Sequence, residues 1–311
     1  MKRYQWWLLI LAALAWFEAG VVWVVQFSGY PLWGYVGSEA FPAYFEFWQR
    51  SMWYVAGVPF ALTAAGSLLL LIEARHGCSR ARLWSGAILQ IAAGFLWLRV
   101  VIPAERLVAV VAGTQNSPAY RHLISANWLL ISVVTAYASL TLGMFWRSQS
   151  PVSGMGRKPG LLFVTSALGM YAVGNIWFVQ LLSYALWPYV GKQEAYAYHI
   201  AWWHSIWGVL FVPAGVVLVG SIAMLRLRPE GVSRKTGQVG FGLQLLVYLL
   251  TAAWFGPLMA RLASPDAGLS VPLYHLLMTT HWVRFALFTA YGILCVYMLA
   301  KSATGAQLRT A

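Results

Sequence analysis

The feature that most constrains this chain is a series of long apolar runs, including residues 6–17, 124–146 and 161–187. The hydrocarbon core of a bilayer is about 30 Å thick, so a helix needs about 20 mostly apolar residues to cross it. Only 9% of the residues are charged, whereas soluble domains carry about 25%. The chain is therefore not an ordinary soluble domain, and we predict an all-α integral membrane protein embedded in a lipid bilayer.

The apolar windows and the polar breaks between them predict eight transmembrane helices. The predicted spans are 5–28, 50–72, 84–104, 122–146, 160–185, 202–226, 239–260 and 279–300. The linkers at 73–83, 147–159 and 227–238 are rich in Gly, Ser, Pro and basic residues. Such compositions are typical of polar connections between helices.

A net charge of +13 raises the question of a nucleic-acid partner, and the placement of the charges answers it. Most basic residues fall at the two termini or in alternate loops, as Lys2, Arg234 and Lys301 do. This distribution follows the positive-inside rule, which predicts a multi-pass protein of the bacterial inner membrane with both termini in the cytoplasm. The basic balance therefore indicates topology, and we expect no nucleic-acid partner.

A register of 154 residues aligns the chain with itself. The matched pairs include Gly20 with Gly174, Trp23 with Trp177, Gln26 with Gln180, Tyr30 with Tyr184, Pro59 with Pro213 and Gln90 with Gln244. Chance does not keep Trp, Pro and Gly in one register at this density. We therefore predict a tandem duplication, with four helices in residues 1–150 and four in residues 151–311. An even number of spans per unit gives two parallel repeats, related by an axis along the membrane normal.

Three groups of motifs resemble a known family. They are VWVVQFSGYPLWGYVG with IWFVQLLSYALWPYVG, then AYHIAWWHSIW, and then NWLLISVVTAY with HWVRFALFTAY. They are similar to a bacterial family of four-span membrane proteins with the pattern W-x-x-Q-x-x-x-Y-P-L-F, followed by Y-H-x-x-H and N-W-x-R-T. The resemblance covers nearly the whole chain, once per half. It implies the four-helix architecture of each half, and it implies no activity.

One polar stripe occurs in both halves and has two interpretations. Its residues are three or four positions apart, so they share one face of a helix. They are Trp177, Gln180 and Tyr184 in the second half and Trp23, Gln26 and Tyr30 in the first. A buried Gln in a membrane helix commonly bonds a neighbouring helix, which predicts a packing seam. The alternative is the wall of a cavity for an aromatic or quinone-like ligand.

The two halves differ most in their histidines. The second half carries His199, His204, His275, His281 and Arg284, and the matched residues of the first half are Phe45, Arg50, Arg121, Asn127 and Leu130. His204 and His281 lie at the same predicted depth on two helices, about 8–9 Å deeper than His199 and His275 at 1.5 Å per residue. Imidazoles at equal depth can ligate a b-type haem axially, or a copper or iron ion. Arg284 then pairs with a haem propionate or another anion. The plain alternative is that these groups bond to one another and to nearby tyrosines.

Two carboxylates of the first half have structural interpretations as well. Glu105 and Arg106 follow Pro103, which predicts a half-exposed pair in a loosened helix. Glu18 lies in the middle of the first span. We expect it to pair with Arg50 or Arg99, and the alternative is a protonatable residue in an ion path.

The leading functional prediction is a redox-linked membrane protein whose second unit holds haem b or a metal through His204 and His281. The first alternative is a non-catalytic subunit or scaffold that assembles with other membrane subunits. The second is a transporter for a small molecule or a proton, which would use Glu18, Gln26, Gln180 and the histidines. No Walker loop, GxGxxG, nucleophile elbow or HExxH sequence occurs in the chain, so the motifs indicate no catalytic residues.

Overall fold

The computed structural model describes residues 1–73, 78–110, 117–149, 157–265 and 267–307, and the side chains of all of these except 157–159 and 305–307. In these ranges it confirms the all-α membrane fold, with eight helical segments long and apolar enough to cross a bilayer. They are α1 (Arg3–Tyr35), α2 (Phe41–Glu73), α3 (Arg80–Val110), α4 (Pro118–Gln149), α5 (Gly160–Tyr189), α6 (Ala195–Leu227), α7 (Arg234–Ala260) and α8 (Val271–Thr304).

The helices extend beyond the predicted spans, mostly at the ends that carry polar or basic residues. The span predicted at 50–72, for example, belongs to α2, which begins at Phe41. Glu46 and Arg50 lower the hydropathy of its first turns, but they do not interrupt the backbone hydrogen bonds of a helix. One further element has no sequence prediction. Strand β1 (Ala263–Ser264) pairs antiparallel with β2 (Gly268–Leu269) in the connection between α7 and α8.

Six of the eight helices contain a π-helical segment within the described residues. These segments are Val25–Gly29, Trp53–Gly57, Trp97–Val101, Val179–Ser183, Trp207–Phe211 and Thr251–Phe255. The first three precede the last three by 154 residues each. A π-helical turn carries one extra residue and re-aims the side chains around it, and such turns frequently lie at functional sites.

Helices α1 and α5 form the centre of the bundle. The most apolar windows of α1 and α5 are 72% and 78% buried, whereas that of α7 is 22% buried. In the outer helices α2, α3, α4, α6, α7 and α8 only 22–44% of the corresponding window is buried, so more than half of each window keeps some accessible surface, as a lipid solvent permits. This distribution shows a multi-pass membrane architecture built around one central helix pair.

The central pair crosses at two glycines. A Cβ atom on Gly20 of α1 would collide with the backbone carbonyl of Tyr171 in α5, and one on Gly174 would collide with the carbonyl of Phe17 in α1. Helices in membranes pack by van der Waals contact, and small residues let their backbones approach closely. Gly20 and Gly174 thus fix the distance between α1 and α5.

Several side-chain contacts recur at positions 154 residues apart. Ser67 bonds to Tyr137 in one half, and Ser221 bonds to Tyr291 in the other. The hydroxyl groups of Tyr44 and Tyr198 themselves lie 3.1 Å apart. The division at residues 1–150 and 151–311, the parallel relation of the units and the orientation of the termini stay predictions.

We predict that Gly20→Ala and Gly174→Ala each lower the free energy of unfolding by about 1–3 kcal/mol, because the added methyl group overpacks the α1–α5 crossing. Denaturant unfolding in detergent micelles measures this change. Gly94→Ala is the matched control, since no atom lies within 4 Å of a Cβ there and alanine favours a helix over glycine. Equal stability of Gly20→Ala and the unmodified protein would contradict the close crossing.

Candidate functional site

Arg284 of α8 is a cation buried inside the membrane-spanning bundle. Its side chain is only 4% exposed, and its guanidinium carbon lies 4.9 Å from the centre of the Phe255 ring. One NH group reaches the Thr251 hydroxyl at 3.5 Å, and the group also interacts with the Tyr184 hydroxyl. The Nε–H has no hydrogen-bond partner among the described residues. In the part of the chain that the structure describes, the one ion pair joins Arg3 and Glu73, so Arg284 has no carboxylate counter-ion there.

A crevice among α5, α6, α7 and α8 is lined in part by this guanidinium. Its cavity volume is about 20 Å³, which is room for about one water-sized group. Its polar lining consists of Arg284, Thr251 and Tyr248, and the hydroxyl of Tyr248 also lacks a hydrogen-bond partner. Its apolar lining consists of Ile176, Leu210, Phe211, Ala214, Val247 and Phe288. The crevice therefore combines an apolar wall with two donors that have no acceptor.

His281 lies one helical turn before Arg284 and is fully buried. Its Nδ1 is 2.5 Å from Oε1 of Gln180. The imidazole packs edge to face against Tyr184 and Phe255, with ring centres 4.8 and 5.4 Å away. Its Nε2 has no hydrogen-bond partner. His281 therefore connects the Gln180–Tyr184 stripe of α5 to the surroundings of Arg284.

The other predicted histidine ligands do not join this cluster. His204 and His275 are exposed on the bundle, whereas His199 is buried against Trp187 and interacts with the backbone of Met259. Among the described residues, no three His, Cys, Asp or Glu side chains form a group that would hold a metal ion. The sequence placed His204 and His281 at equal depth, but helix rotation directs one outward and the other inward. Because the His281 ring is enclosed on all sides, these residues do not fit axial ligands of one haem.

The polar stripe is largely a packing seam. The indole of Trp23 donates to Thr135 and that of Trp177 donates to Thr289, each at 3.1 Å. In the first half, Asn127 donates to Gln26 at 2.7 Å, which corresponds to the His281–Gln180 contact in the second. Of the predicted cavity residues, Tyr184 interacts with Arg284, and Gln180 contacts the neighbouring His281.

The first half fills the space that the second half leaves open. Trp97 and Leu130 precede Thr251 and Arg284 by 154 residues. The Trp97 ring is buried and stacks on Phe60 with their centres 5.6 Å apart. A Cβ on Gly57 would lie 2.9 Å from the same indole, whereas the second half has Phe211 at the matched position. In the first half the Trp97 indole thus occupies the space that corresponds to the crevice, and Leu130 takes the position of Arg284.

Sequence reasoning missed Thr251, Tyr248 and Phe255 at this site. In the 154-residue register Thr251 aligns with Trp97. This replacement of a large residue by a small one, near an arginine in a predicted span, was the sequence signal that could have identified the site. The prediction for Glu105 was wrong. Glu105 is buried, with 3% exposure, and accepts hydrogen bonds from Tyr30 at 2.8 Å and Trp48 at 3.2 Å. Tyr30 and Trp48 hold the carboxyl group of Glu105 inside the bundle, whereas the neighbouring Arg106 is exposed.

Comparison with known proteins yields no match to any family model, curated protein or solved structure. The similarity to a four-span family therefore stays a resemblance carried by the motifs alone. The chemical properties of the site are therefore inferred from its geometry.

We predict that Tyr30→Phe lowers the free energy of unfolding by about 1–3 kcal/mol, since it removes one of the hydrogen bonds that the buried Glu105 accepts. Thermal unfolding followed by circular dichroism measures the loss. Tyr54→Phe, at a tyrosine with 70% exposure, is the matched control and should leave the midpoint unchanged. If both variants unfold at the same temperature, the Tyr30–Glu105 bond contributes nothing to stability.

Proposed function

We propose that the second half of this membrane protein binds a lipid-soluble amphiphile through an oxygen acceptor group. The acceptor is a quinone carbonyl or an anionic headgroup oxygen, and it binds at Arg284. The observation that carries the proposal is the buried guanidinium, which lacks a counter-ion among the described residues and lines a mostly apolar crevice.

The charge argues for an acceptor ligand. A buried charge without a counter-ion destabilises a fold by several kcal/mol, and ionisable groups within membrane helices are functional candidates by default. The Nε–H of Arg284 and the hydroxyl of Tyr248 are donors without acceptors in the same crevice. A guanidinium binds oxygen acceptors in a fork of two hydrogen bonds. A ligand oxygen would therefore supply what the protein itself does not.

The lining argues for a ligand that arrives from the bilayer. Apart from Tyr248, Thr251 and Arg284, the crevice is lined by aliphatic and aromatic side chains, and these residues belong to membrane-spanning segments. Ligand sites of this kind are mostly apolar, with a few polar groups that fix the orientation. The π-helical segments at Trp207–Phe211 and Thr251–Phe255 contribute Leu210, Phe211 and Thr251 to the lining.

The cofactors predicted from the sequence do not enter this proposal, because His204 and His275 are exposed while His281 is enclosed. A subunit of a larger membrane complex could bind such an amphiphile and hold it in position. The proposal is therefore compatible with the alternative of a non-catalytic subunit or scaffold. The basic loops support a location in the bacterial inner membrane with both termini in the cytoplasm. The recurrent π segments and contacts support two parallel four-helix units.

The test is binding to the detergent-purified full chain. Decyl-benzoquinone and short-chain phosphatidylglycerol are titrated separately, and bound ligand is measured by native mass spectrometry. We predict that the unmodified protein binds one of them, and that Thr251→Trp and Arg284→Leu each weaken that binding by about tenfold or more. Thr251→Trp introduces the indole that fills the matched space of the first half, and loss of a charged hydrogen bond accounts for the effect of Arg284→Leu.

Leu130→Ala is the control, because it alters the matched buried position of the first half and should leave binding unchanged. Arg284→Lys keeps the positive charge but loses the paired N–H donors of the guanidinium. The affinity of this variant should therefore lie between those of the unmodified protein and Arg284→Leu. The proposal is overturned if the unmodified protein binds neither amphiphile, or if Arg284→Leu binds as tightly as the unmodified protein.

We further predict that Arg284→Leu raises the free energy of unfolding of the ligand-free protein by up to about 4 kcal/mol. Replacing a buried charge that lacks a counter-ion by an apolar side chain removes its desolvation penalty. Denaturant unfolding of both proteins after removal of bound lipids measures the change. A lower stability of Arg284→Leu would indicate that the guanidinium serves the fold and is not kept for a ligand.

A further inference from the structure

A second polar cluster lies in the first half, away from the crevice. Glu18 of α1 is 1% exposed, and its Oε1 accepts a hydrogen bond from the Thr63 hydroxyl of α2 at 2.6 Å. The side-chain amide of Gln90 in α3 donates to the same hydroxyl oxygen at 2.6 Å. Three neighbouring helices thus bring one carboxyl, one hydroxyl and one amide together inside the membrane-spanning bundle.

One assignment of the hydrogen atoms satisfies the short contacts of this cluster. A threonine hydroxyl has one hydrogen to donate and two lone pairs that accept. In this assignment Thr63 accepts from Gln90 and donates its own hydrogen to Glu18, which is the nearest of its three acceptors. Two buried oxygens then stay without a partner, namely Oε2 of Glu18 and Oε1 of Gln90. The cluster has two free acceptors and is short of a donor.

No positive charge of the described residues faces this carboxyl. The groups around it are Thr63 and Ser67 from α2, Gln90 from α3 and the Tyr137 phenol from α4, which bonds to Ser67. Helix α5 contributes the backbone of Tyr171 at the nearby Gly20 crossing. Within the described ranges, neither Arg50 nor Arg99 nor any other Lys, Arg or His contacts Glu18. The prediction that Glu18 pairs with Arg50 or Arg99 was therefore wrong.

We propose that Glu18 is an intramembrane proton-binding site, where a proton on Oε2 makes the side chain a neutral carboxylic acid. The proton supplies the missing donor, and the free Oε1 of Gln90 is the acceptor available in the cluster. A neutral acid also avoids the large desolvation penalty of a lone carboxylate in a membrane interior. Ca²⁺ and Mg²⁺ take six or more oxygen ligands, and the cluster has four side-chain oxygens.

The second half shows that the fold does not require this cluster. At the positions 154 residues later stand Ala172, Val217 and Gln244. Gln244 is fully buried and neither atom of its amide has a partner. The same surroundings therefore accommodate alanine and valine, so the acid of the first half is an addition to the scaffold. The variants Glu18→Ala and Thr63→Val reproduce residues that one half already contains.

The test is infrared spectroscopy of the full-length protein in lipid bilayers at neutral pH, without added metal salts. We expect a carboxylic-acid C=O stretch that Glu18→Gln removes and that Thr63→Val shifts to higher frequency, because the carbonyl oxygen loses its donor. Glu105→Gln is the control for the second buried carboxyl group among the described residues and should leave the Glu18 band in place. Glu18→Ala repeats the measurement if the glutamine variant fails to fold.

Two results would overturn the proposal. The first is a carboxylate band at neutral pH that Glu18→Gln removes, which would show that the group is ionised. The second is conversion of the acid band to a carboxylate band on addition of sodium chloride at constant pH, which would identify a metal-cation site instead. Loss of the acid band in both Glu18 variants supports the proposal.

Discussion

The close crossing of α1 and α5 determines how the rest of the bundle is arranged. Gly20 and Gly174 let each backbone lie against a carbonyl of the other helix, and the outer helices then pack around this pair. In a bilayer, apolar side chains gain little by leaving lipid, so association depends on tight contact and on hydrogen bonds between helices. The glycine crossing provides the contact, and the Trp23–Thr135 and Trp177–Thr289 bonds tie α4 and α8 to the centre.

The two halves carry different buried polar and charged side chains around this central helix pair. The first half fills its inter-helix space with Trp97 and holds buried carboxyl groups at Glu18 and Glu105. The second half has Thr251 and Arg284 at the positions of Trp97 and Leu130, and a crevice opens there. An acid in one half and a cation in the other lie on separate helices, and the structure gives them no contact. Each therefore needs its own explanation, a proton in one case and an acceptor ligand in the other.

The orphaned polar atoms are the strongest indication that the bundle does more than span the membrane. Buried polar groups in folded proteins nearly all have hydrogen-bond partners, and exceptions call for a specific reason. Here the exceptions include Nε of Arg284 and the Tyr248 hydroxyl in the crevice, and Oε2 of Glu18 in the other half. An acceptor in the crevice and a proton on Glu18 would each supply the missing partner. The unpartnered Gln244 has no such explanation from the surrounding residues.

The sequence by itself determined that the chain is helical and crosses a membrane eight times, because span length and hydropathy are local properties of each segment. It also identified Arg284 and His281 as unusual, since ionisable residues are rare at that depth. Only the tertiary structure decided which polar groups meet. His204 and His281 share a depth, yet the rotation of each helix directs His204 outward and His281 inward. That rotation is set by contacts between distant parts of the chain, such as the contact between His281 and Gln180, and a local hydropathy pattern does not contain it.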